Sequence, residues 1–144
     1  MTRTAGPASE RNAMSDRSIK TILIEHREIA RLGLRLILQS MEQMITLAEF
    51  GEGQAAIEEA QAIAPDLILM NIGLPASNGI LTLSSLKQST SAKIVVVTSH
   101  RSADEIFAAL RAGADGYCLT GLTPAHLISV IHCVLGGGLW LDSA

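Results

Sequence analysis

The chain has few of the features that mark secreted, membrane or nucleic-acid-binding proteins. Its 144 residues include only two cysteines, and acidic residues outnumber basic ones, for a formal net charge of -3. Cys118 and Cys133 lie in strand-like and helix-like runs, where lone thiols are typically small core residues and not disulfide or metal ligands. Without a basic excess, the chain lacks the electrostatic basis for direct nucleic-acid binding.

Long hydrophobic runs are also missing, and no apolar run approaches the roughly 18 residues needed to span a bilayer. Residues 1–18 combine three arginines with Gly, Pro, Ser and Thr, and they contain no apolar stretch typical of a signal peptide. We therefore expect a disordered leader over residues 1–18 and a cytoplasmic protein without membrane contacts. A hydrophobic content of 48% favours one buried core, so a single domain is expected over residues 19–141.

From Ile19 onward, short apolar runs alternate with longer segments of helical periodicity, which is typical of βα units around a parallel sheet. The first, third and fourth runs are continuously apolar and are predicted to be central strands, whereas the mixed second run favours an edge. The predicted strands are Lys20–Ile24, Met44–Glu49, Asp66–Met70, Lys93–Thr98 and Gly116–Leu119.

Helix boundaries are marked by capping residues. Ser102 has the spacing of a capping box, and Thr123 precedes a proline at the first helical position. Gly113 and Gly136 follow periodic stretches, where a left-handed cap favours glycine. The predicted helices are approximately Glu28–Ser40, Gly53–Ile63, Gly79–Lys87, Ala103–Ala112 and Pro124–Leu135. This alternation fits several doubly wound folds, and periodicity alone does not choose between them.

The third strand ends at Asn71, within the segment PDLILMNIGLPASNG at residues 65–79. This segment resembles the phosphoacceptor segment of bacterial response-regulator receiver domains, in which the last strand residue is an aspartate that accepts phosphate. Thr98 matches a hydroxyl residue of that family, and residues 112–119, AGADGYCL, resemble its fifth strand. Together with residues 31–35 and 136–138, these segments make the chain most similar to CheY-like receivers with a LuxR-type helix-turn-helix output domain.

The resemblance covers residues 19–141 and implies a flavodoxin-like (βα)5 fold. This α/β fold is a three-layer sandwich whose five-stranded parallel sheet has the order 2-1-3-4-5, with the active crevice at the carboxyl ends of the strands. It also implies two-component signalling and transcription regulation, a homodimer, and partners that are other signalling proteins or the protein's own output domain.

The chain departs from the family pattern where the chemistry occurs. Receivers hold Mg²⁺ with two acidic residues after the first strand, and here Glu25 and His26 stand at those positions. Thr120 replaces a lysine, and Asn71 offers a neutral amide, which is a very poor nucleophile. We predict no catalytic residue, no cofactor and at most weak Mg²⁺ binding, because a single carboxylate without phosphate holds Mg²⁺ poorly.

Each of these residues also has a simpler interpretation. Glu25 could be an ordinary strand-end carboxylate. His26 could be a polar cap or a partner of Glu25, although the two would point to opposite sides if the strand continued through them. Tyr117 matches the family's switch aromatic but could be a half-buried residue on an edge strand. Thr120 could be a loop hydroxyl, and Trp140 a hydrophobic clasp beyond the last helix.

The favoured hypothesis is an atypical, non-enzymatic receiver that lacks the phosphoacceptor and acts through protein–protein contacts. Two alternatives stay open at this point. One is a receiver phosphorylated at a non-standard residue, and the other is a redox or ligand-sensing domain on the same flavodoxin-like fold.

Overall fold

A computed structural model describes residues 18–74, 78–99, 102–121 and 123–142, so the predicted leader lies almost wholly outside the described residues. Strands and helices alternate along the chain. The strands are β1 (Ile19–Ile24), β2 (Met44–Phe50), β3 (Leu67–Met70), β4 (Lys93–Thr98), β5 (Gly116–Leu119) and β6 (Trp140–Leu141). The helices are α1 (Glu28–Gln39), α2 (Gly53–Ile63), α3 (Gly79–Ser89), α4 (Ala103–Ala112) and α5 (Pro124–Leu135).

The strands form one parallel sheet in the order β2-β1-β3-β4-β5-β6. The predicted order 2-1-3-4-5 is confirmed, with β2 at an edge and β1, β3 and β4 inside the sheet. The expectation of five strands was wrong by one, because β6 adds a short parallel strand beside β5. A two-residue strand after a glycine-rich turn carries no periodicity from which it could be predicted.

Helices cover both faces of the sheet, which explains the continuously apolar central strands. Ile22 of β1 enters a core against α2, α3 and α4, while its neighbour Leu23 enters a second core against α1 and α5. All four residues of β3 are buried, because successive side chains point into the two different cores. The result is the predicted three-layer sandwich.

The predicted helix caps are largely confirmed. The side-chain oxygens of Ser102 and Thr123 each accept a hydrogen bond from the amide three residues further on, at 3.1 Å in both cases. Gly113 ends α4 with a left-handed φ of 111°. The same expectation for Gly136 was wrong, since its φ is -82° and the left-handed residue is Gly137, with φ of 94°.

Tight backbone packing brings the start of α3 close to the residue that follows Asn71. Asn78 caps α3, and its Oδ1 accepts hydrogen bonds from the amides two and three residues further on, at 2.9 and 3.2 Å. At Gly79, an added Cβ would lie only 1.9 Å from the carbonyl oxygen of Ile72. The start of α3 therefore presses against the residue that follows Asn71, and only glycine permits that approach.

The two cysteines are free thiols. Cys118 lies in the core beneath α5, as predicted, and Cys133 is partly exposed. Burial, and secondarily the charge of Asp142, raises the pKa of the Cys118 thiol to about 12. Within the described part of the chain, no helix has the length and apolar character needed to cross a membrane.

Candidate functional site

The carboxyl ends of β1, β3, β4 and β5 lie along one edge of the sheet, which carries Glu25, Asn71, Thr98 and Thr120. Glu25 and Asn71 each extend a strand by one residue, and their amides donate to the last residues of β2 and β1, both at 2.9 Å. At the other side, the Thr120 amide donates to the Thr98 carbonyl at 2.9 Å. The parallel register of β1, β3, β4 and β5 thus brings these residues to a common edge.

Glu25 and Asn71 meet directly. The Asn71 Nδ2 donates to Glu25 Oε1 at 3.1 Å, and the Asn71 Oδ1 accepts from the Gly73 amide at 2.8 Å. Glu25 is 2% exposed and Asn71 is 6% exposed. Both ends of the amide are therefore satisfied, and an asparagine is suited to this place because it offers the buried carboxylate a donor instead of a second negative charge.

Arg27 completes the contacts of Glu25 and was not identified from the sequence. Its guanidinium places Nη2 3.1 Å from Oε1 and Nε 3.3 Å from Oε2 of Glu25, and its backbone amide donates to Oε2 at 3.0 Å. Such a two-pronged contact combines charge with fixed geometry. Arg27 is the residue before α1, and its extended backbone turns the side chain back toward the end of β1.

These contacts keep Glu25 ionised. Burial alone would raise the pKa of its carboxyl, but hydrogen bonds from the side chain and backbone of Arg27, and from Asn71, outweigh burial and lower the pKa below its ordinary value. The carboxylate and the guanidinium carry opposite unit charges, so the pair is electrically neutral as a whole.

His26 also lies beside Glu25, with its Nδ1 3.5 Å from Oε2 and its side chain 36% exposed. The two residues were expected to point to opposite sides only if the strand continued through them, and that condition is not met, because β1 ends at Ile24 and no strand includes His26. The capping position of α1 is occupied by Arg27, so His26 is a partner of Glu25 and not the cap.

Two further arginines connect the site to β2. Arg31 donates through Nη1 to the Glu25 carbonyl at 2.8 Å, and its Nε lies 3.2 Å from Glu49 Oε1. Arg35 donates through Nη2 to the same Glu49 oxygen at 2.8 Å. The hydrogen bond from Arg35 is the largest influence on the Glu49 carboxyl, and with the contribution of Arg31 it lowers the pKa of Glu49 although that residue is partly buried. Arg31 and Arg35 are spaced by four, so they share one side of α1, and Arg27 precedes the helix by one residue.

The remaining predicted positions are Thr98 on β4, Tyr117 on β5 and Thr120 directly after β5. Tyr117 is 0% exposed, and β5 lies between β4 and β6, so the interpretation as a half-buried residue on an edge strand was wrong. Burial, and then the charge of Glu105, raises the Tyr117 pKa to about 12. Thr98 is fully buried, whereas Thr120 is partly exposed beside a cleft between α1 and α5.

This cleft has a volume of about 270 Å³ and a largely apolar lining. Glu25, Arg27 and Thr120 form its polar rim. The lining residues are Glu25, Arg27, Ala30, Gly33, Leu34, Ile37, Val97, Thr120, Gly121 and Leu127.

The residues at this edge do not fit the Mg²⁺ site that the receiver family implies. Mg²⁺ favours carboxylates in octahedral geometry, and both oxygens of Glu25 already accept hydrogen bonds from Arg27. The Asn71 carbonyl is turned to the Gly73 amide. No cluster of three or more His, Cys, Asp or Glu side chains suited to a metal occurs within residues 18–74, 78–99, 102–121 and 123–142.

Residues 21–132 match the response regulator receiver domain family. The chain belongs to this family. Nitrate/nitrite response regulator protein NarL of Escherichia coli strain K12 is 32% identical to it over 133 residues, which are 91% of this chain and 62% of NarL. Transcriptional regulatory protein LnrK of Bacillus subtilis strain 168 is 35% identical over 127 residues, which are 85% of this chain and 56% of LnrK. The chain thus spans less than two thirds of these relatives.

A solved structure agrees with this assignment. The two-component response regulator of the LuxR family from Aurantimonas sp. SI85-9A1 superposes with a TM-score of 0.80 at 26% identity, covering 85% of this chain and 89% of that one. The resemblance to LuxR-type receivers is therefore confirmed. The segments around Asn71 and β5 thus identified the family correctly.

Proposed function

We propose that this receiver regulates through protein–protein contacts and does not accept phosphate at position 71. The observation that supports the proposal most strongly is the occupied carboxylate of Glu25, which is bound by Arg27 and Asn71 at 3.1 Å each. A receiver that uses Mg²⁺ needs carboxylate oxygens free for the metal. In this chain the remaining carboxylate of the site is already neutralised by an arginine of the same loop.

Phosphoryl transfer to a receiver makes three demands on the site. A carboxylate must attack phosphorus in line, a metal ion must offset charge on the phosphoryl oxygens, and a further cation must stabilise the transition state. Asn71 has no nucleophilic carboxylate, the Glu25 oxygens are engaged, and Thr120 carries no charge. The site therefore lacks the main chemical group for each of these three requirements.

The charge of Glu25 is instead balanced within the chain. Arg27 supplies to Glu25 the positive charge that a metal would otherwise bring, and Tyr117 is buried in the core. We infer that this arrangement is the form recognised by partners, which are other signalling proteins or an output domain. By analogy with NarL and LnrK, whose names describe a response regulator and a transcriptional regulator, we propose that the process is transcription regulation. A cytoplasmic location and a homodimer as the working form are further parts of this proposal, which these names do not address.

Mass spectrometry of the intact protein after incubation with acetyl phosphate and Mg²⁺ tests the proposal. The expected result is no phosphoryl adduct. The variant Asn71→Asp with His26→Asp, Thr120→Lys and Arg27→Gln, treated in the same way, is the control that the assay detects an acyl phosphate.

An adduct on the wild-type protein would contradict the proposal. Peptide mapping would then identify the modified residue and decide whether the site itself or a non-standard residue accepts phosphate. An absorption spectrum of the purified protein covers the remaining alternative, since a visible chromophore would favour the redox or ligand-sensing domain.

A further inference from the structure

Residues 140–142, which we call the strap, lie along the outer edge of β5. The Trp140 amide donates to the Asp115 carbonyl at 3.1 Å, and the Asp142 amide donates to the Tyr117 carbonyl at 2.9 Å. These bonds continue the parallel ladder of the sheet. The strap therefore occupies backbone groups of β5 that a five-stranded sheet would leave at an open edge.

The side chain of Asp142 extends this ladder beyond the strand. The Leu119 amide donates to Asp142 Oδ2 at 3.0 Å, so a carboxylate oxygen takes the place of the next backbone carbonyl. The other oxygen, Oδ1, accepts from Trp140 Nε1 at 2.8 Å and lies 2.9 Å from His126 Nε2. One carboxylate thus joins β5, α5 and the strap itself.

The three groups around Asp142 support one another. The imidazole of His126 meets the indole of Trp140 edge to face, with ring centroids 5.3 Å apart and planes at 79°. Burial would raise the Asp142 pKa, but the hydrogen bonds from Trp140, Leu119 and His126 outweigh burial and lower it. The carboxylate is therefore ionised, and hydrogen bonds to an ionised acceptor are the stronger kind.

The strap is attached at the end of β5 that reaches the candidate site. Leu119, which Asp142 holds, is followed by Thr120, whose amide donates to the Thr98 carbonyl. Thr120 in turn shares the cleft with Glu25 and Arg27. A series of residues therefore runs from the site to the strap: Thr120 lines the cleft with Glu25 and Arg27, and its neighbour Leu119 donates to the Asp142 carboxylate.

We propose that the strap acts as a latch, by which we mean that the Asp142 carboxylate holds the strap against β5 through Leu119, Trp140 and His126. The position of the chain after α5 is thereby coupled to the conformation of the carboxyl end of β5. The latch rests on the proposed function only in taking that end of β5 as part of the signalling site. When the latch is closed, movement at Thr120 and movement of the strap occur together. When Asp142 is released, the strap separates from β5.

Amide hydrogen exchange measured by NMR on the whole chain tests the latch. In the wild type, the amides of Trp140, Asp142 and Leu119 are expected to be protected. Asp142→Asn and His126→Gln should each speed exchange at Leu119 and at the strap by about tenfold, because a hydrogen bond to a charged group is lost or weakened. His132→Gln is the matched control on the same helix, since His132 is exposed and its side chain makes no hydrogen bond or ion pair with the described residues.

The second arm tests the coupling in the reverse direction, since coupling between two sites must be reciprocal. Arg27→Gln, which alters the other end of the series, should shift the Trp140 indole N–H resonance, and His132→Gln should leave it in place. Unprotected strap amides in the wild type, or Leu119 exchange unchanged in both Asp142→Asn and His126→Gln, would overturn the latch. An unmoved indole resonance in Arg27→Gln would overturn the coupling. No phosphodonor enters this experiment, so its outcome is separate from the test of phosphate acceptance.

Discussion

The guanidinium of Arg27 donates two hydrogen bonds to the carboxylate of Glu25, with Nη2 3.1 Å from Oε1 and Nε 3.3 Å from Oε2. The two partners differ in exposure, since the Glu25 side chain is 2% exposed and that of Arg27 is 48% exposed. The buried carboxylate depends on this contact far more than the solvated arginine does, because an unpaired buried charge is costly. This asymmetry determines how the site should respond to substitution.

Removing the guanidinium should raise the pKa of Glu25. In Arg27→Gln, the burial of the carboxyl is no longer offset by a charged side-chain donor, so the protonated form becomes more favourable. NMR titration of the Glu25 carboxyl carbon in wild type and variant measures the change. Arg111→Gln, which changes an exposed arginine of α4, is the control and should leave the Glu25 titration where it is.

Acid should destabilise the fold through three carboxylates. Glu25, Glu49 and Asp142 have folded-state pKa values below their ordinary values of 4.5, 4.5 and 3.8. The unfolded chain therefore binds these protons first, so the stabilisation is present above the ordinary values and is lost as pH falls through the folded ones. Urea unfolding measured at several pH values should show that the free energy of unfolding falls between neutral pH and about pH 3. The free energy of unfolding should depend less steeply on pH in Glu49→Gln than in the wild type. Glu59→Gln is the control, because Glu59 is exposed. A pH dependence of the free energy of unfolding that is unchanged in Glu49→Gln but reduced in Glu59→Gln would contradict this assignment.

Two glycines should respond to alanine in opposite directions. In Gly79→Ala the new Cβ would lie 1.9 Å from the Ile72 carbonyl oxygen, so the backbone must move and unfolding should become easier by roughly 2 kcal/mol or more. In Gly33→Ala nothing lies within 4 Å of the new Cβ, and a glycine inside α1 is replaced by a better helix former, which should add about 1 kcal/mol. Thermal or urea unfolding of both variants provides the measurement. Equal effects would show that the start of α3 is not held against Ile72 by this close approach.

Much of the fold could be predicted because the central strands are buried on both faces. Continuously apolar runs such as residues 67–70 and 94–97 are typical of strands with a helix layer on each side, and the observed strands begin and end within one residue of the predicted ones. The helix ends were also predictable, since Ser102 and Thr123 cap by local hydrogen bonds that depend on sequence spacing alone.

Side-chain contacts within loops and between distant segments could not be predicted in the same way. Asn71 and Glu25 were expected at one edge from the parallel topology, but Arg27 is a loop residue whose side-chain direction follows from the turn into α1, and no spacing rule specifies it. The strap escaped prediction because its hydrogen bonds join Asp142 to residues 16 and 23 positions away. Trp140 was expected as a hydrophobic clasp, and it does pack against the second core, but its bond to Asp142 was not foreseen.

Magnesium should bind weakly. The carboxylate of Glu25 would have to release Arg27 before it could coordinate a metal, and no second carboxylate stands at position 26 or 71. Calorimetric titration of the wild-type protein should give a dissociation constant weaker than roughly the millimolar range. Adding carboxylates in Asn71→Asp with His26→Asp should tighten binding, and Arg27→Gln in that background should tighten it further. A sub-millimolar constant for the wild type would mean that another ligand is present.

The central claim is that several groups, and not the nucleophile alone, separate this site from a phosphate-accepting one. The rate of phosphorylation by acetyl phosphate, compared between Asn71→Asp alone and Asn71→Asp combined with His26→Asp, Thr120→Lys and Arg27→Gln, tests it most directly. Each missing electrostatic contact costs about 3 kcal/mol at the transition state, or roughly a hundredfold in rate, and groups that act as a unit are non-additive. We predict that Asn71→Asp alone reacts slowly or not at all and that the combined variant exceeds the product of the single effects. If Asn71→Asp alone reached the rate of the combined variant, the site would be intact apart from its nucleophile, and the central claim would be contradicted.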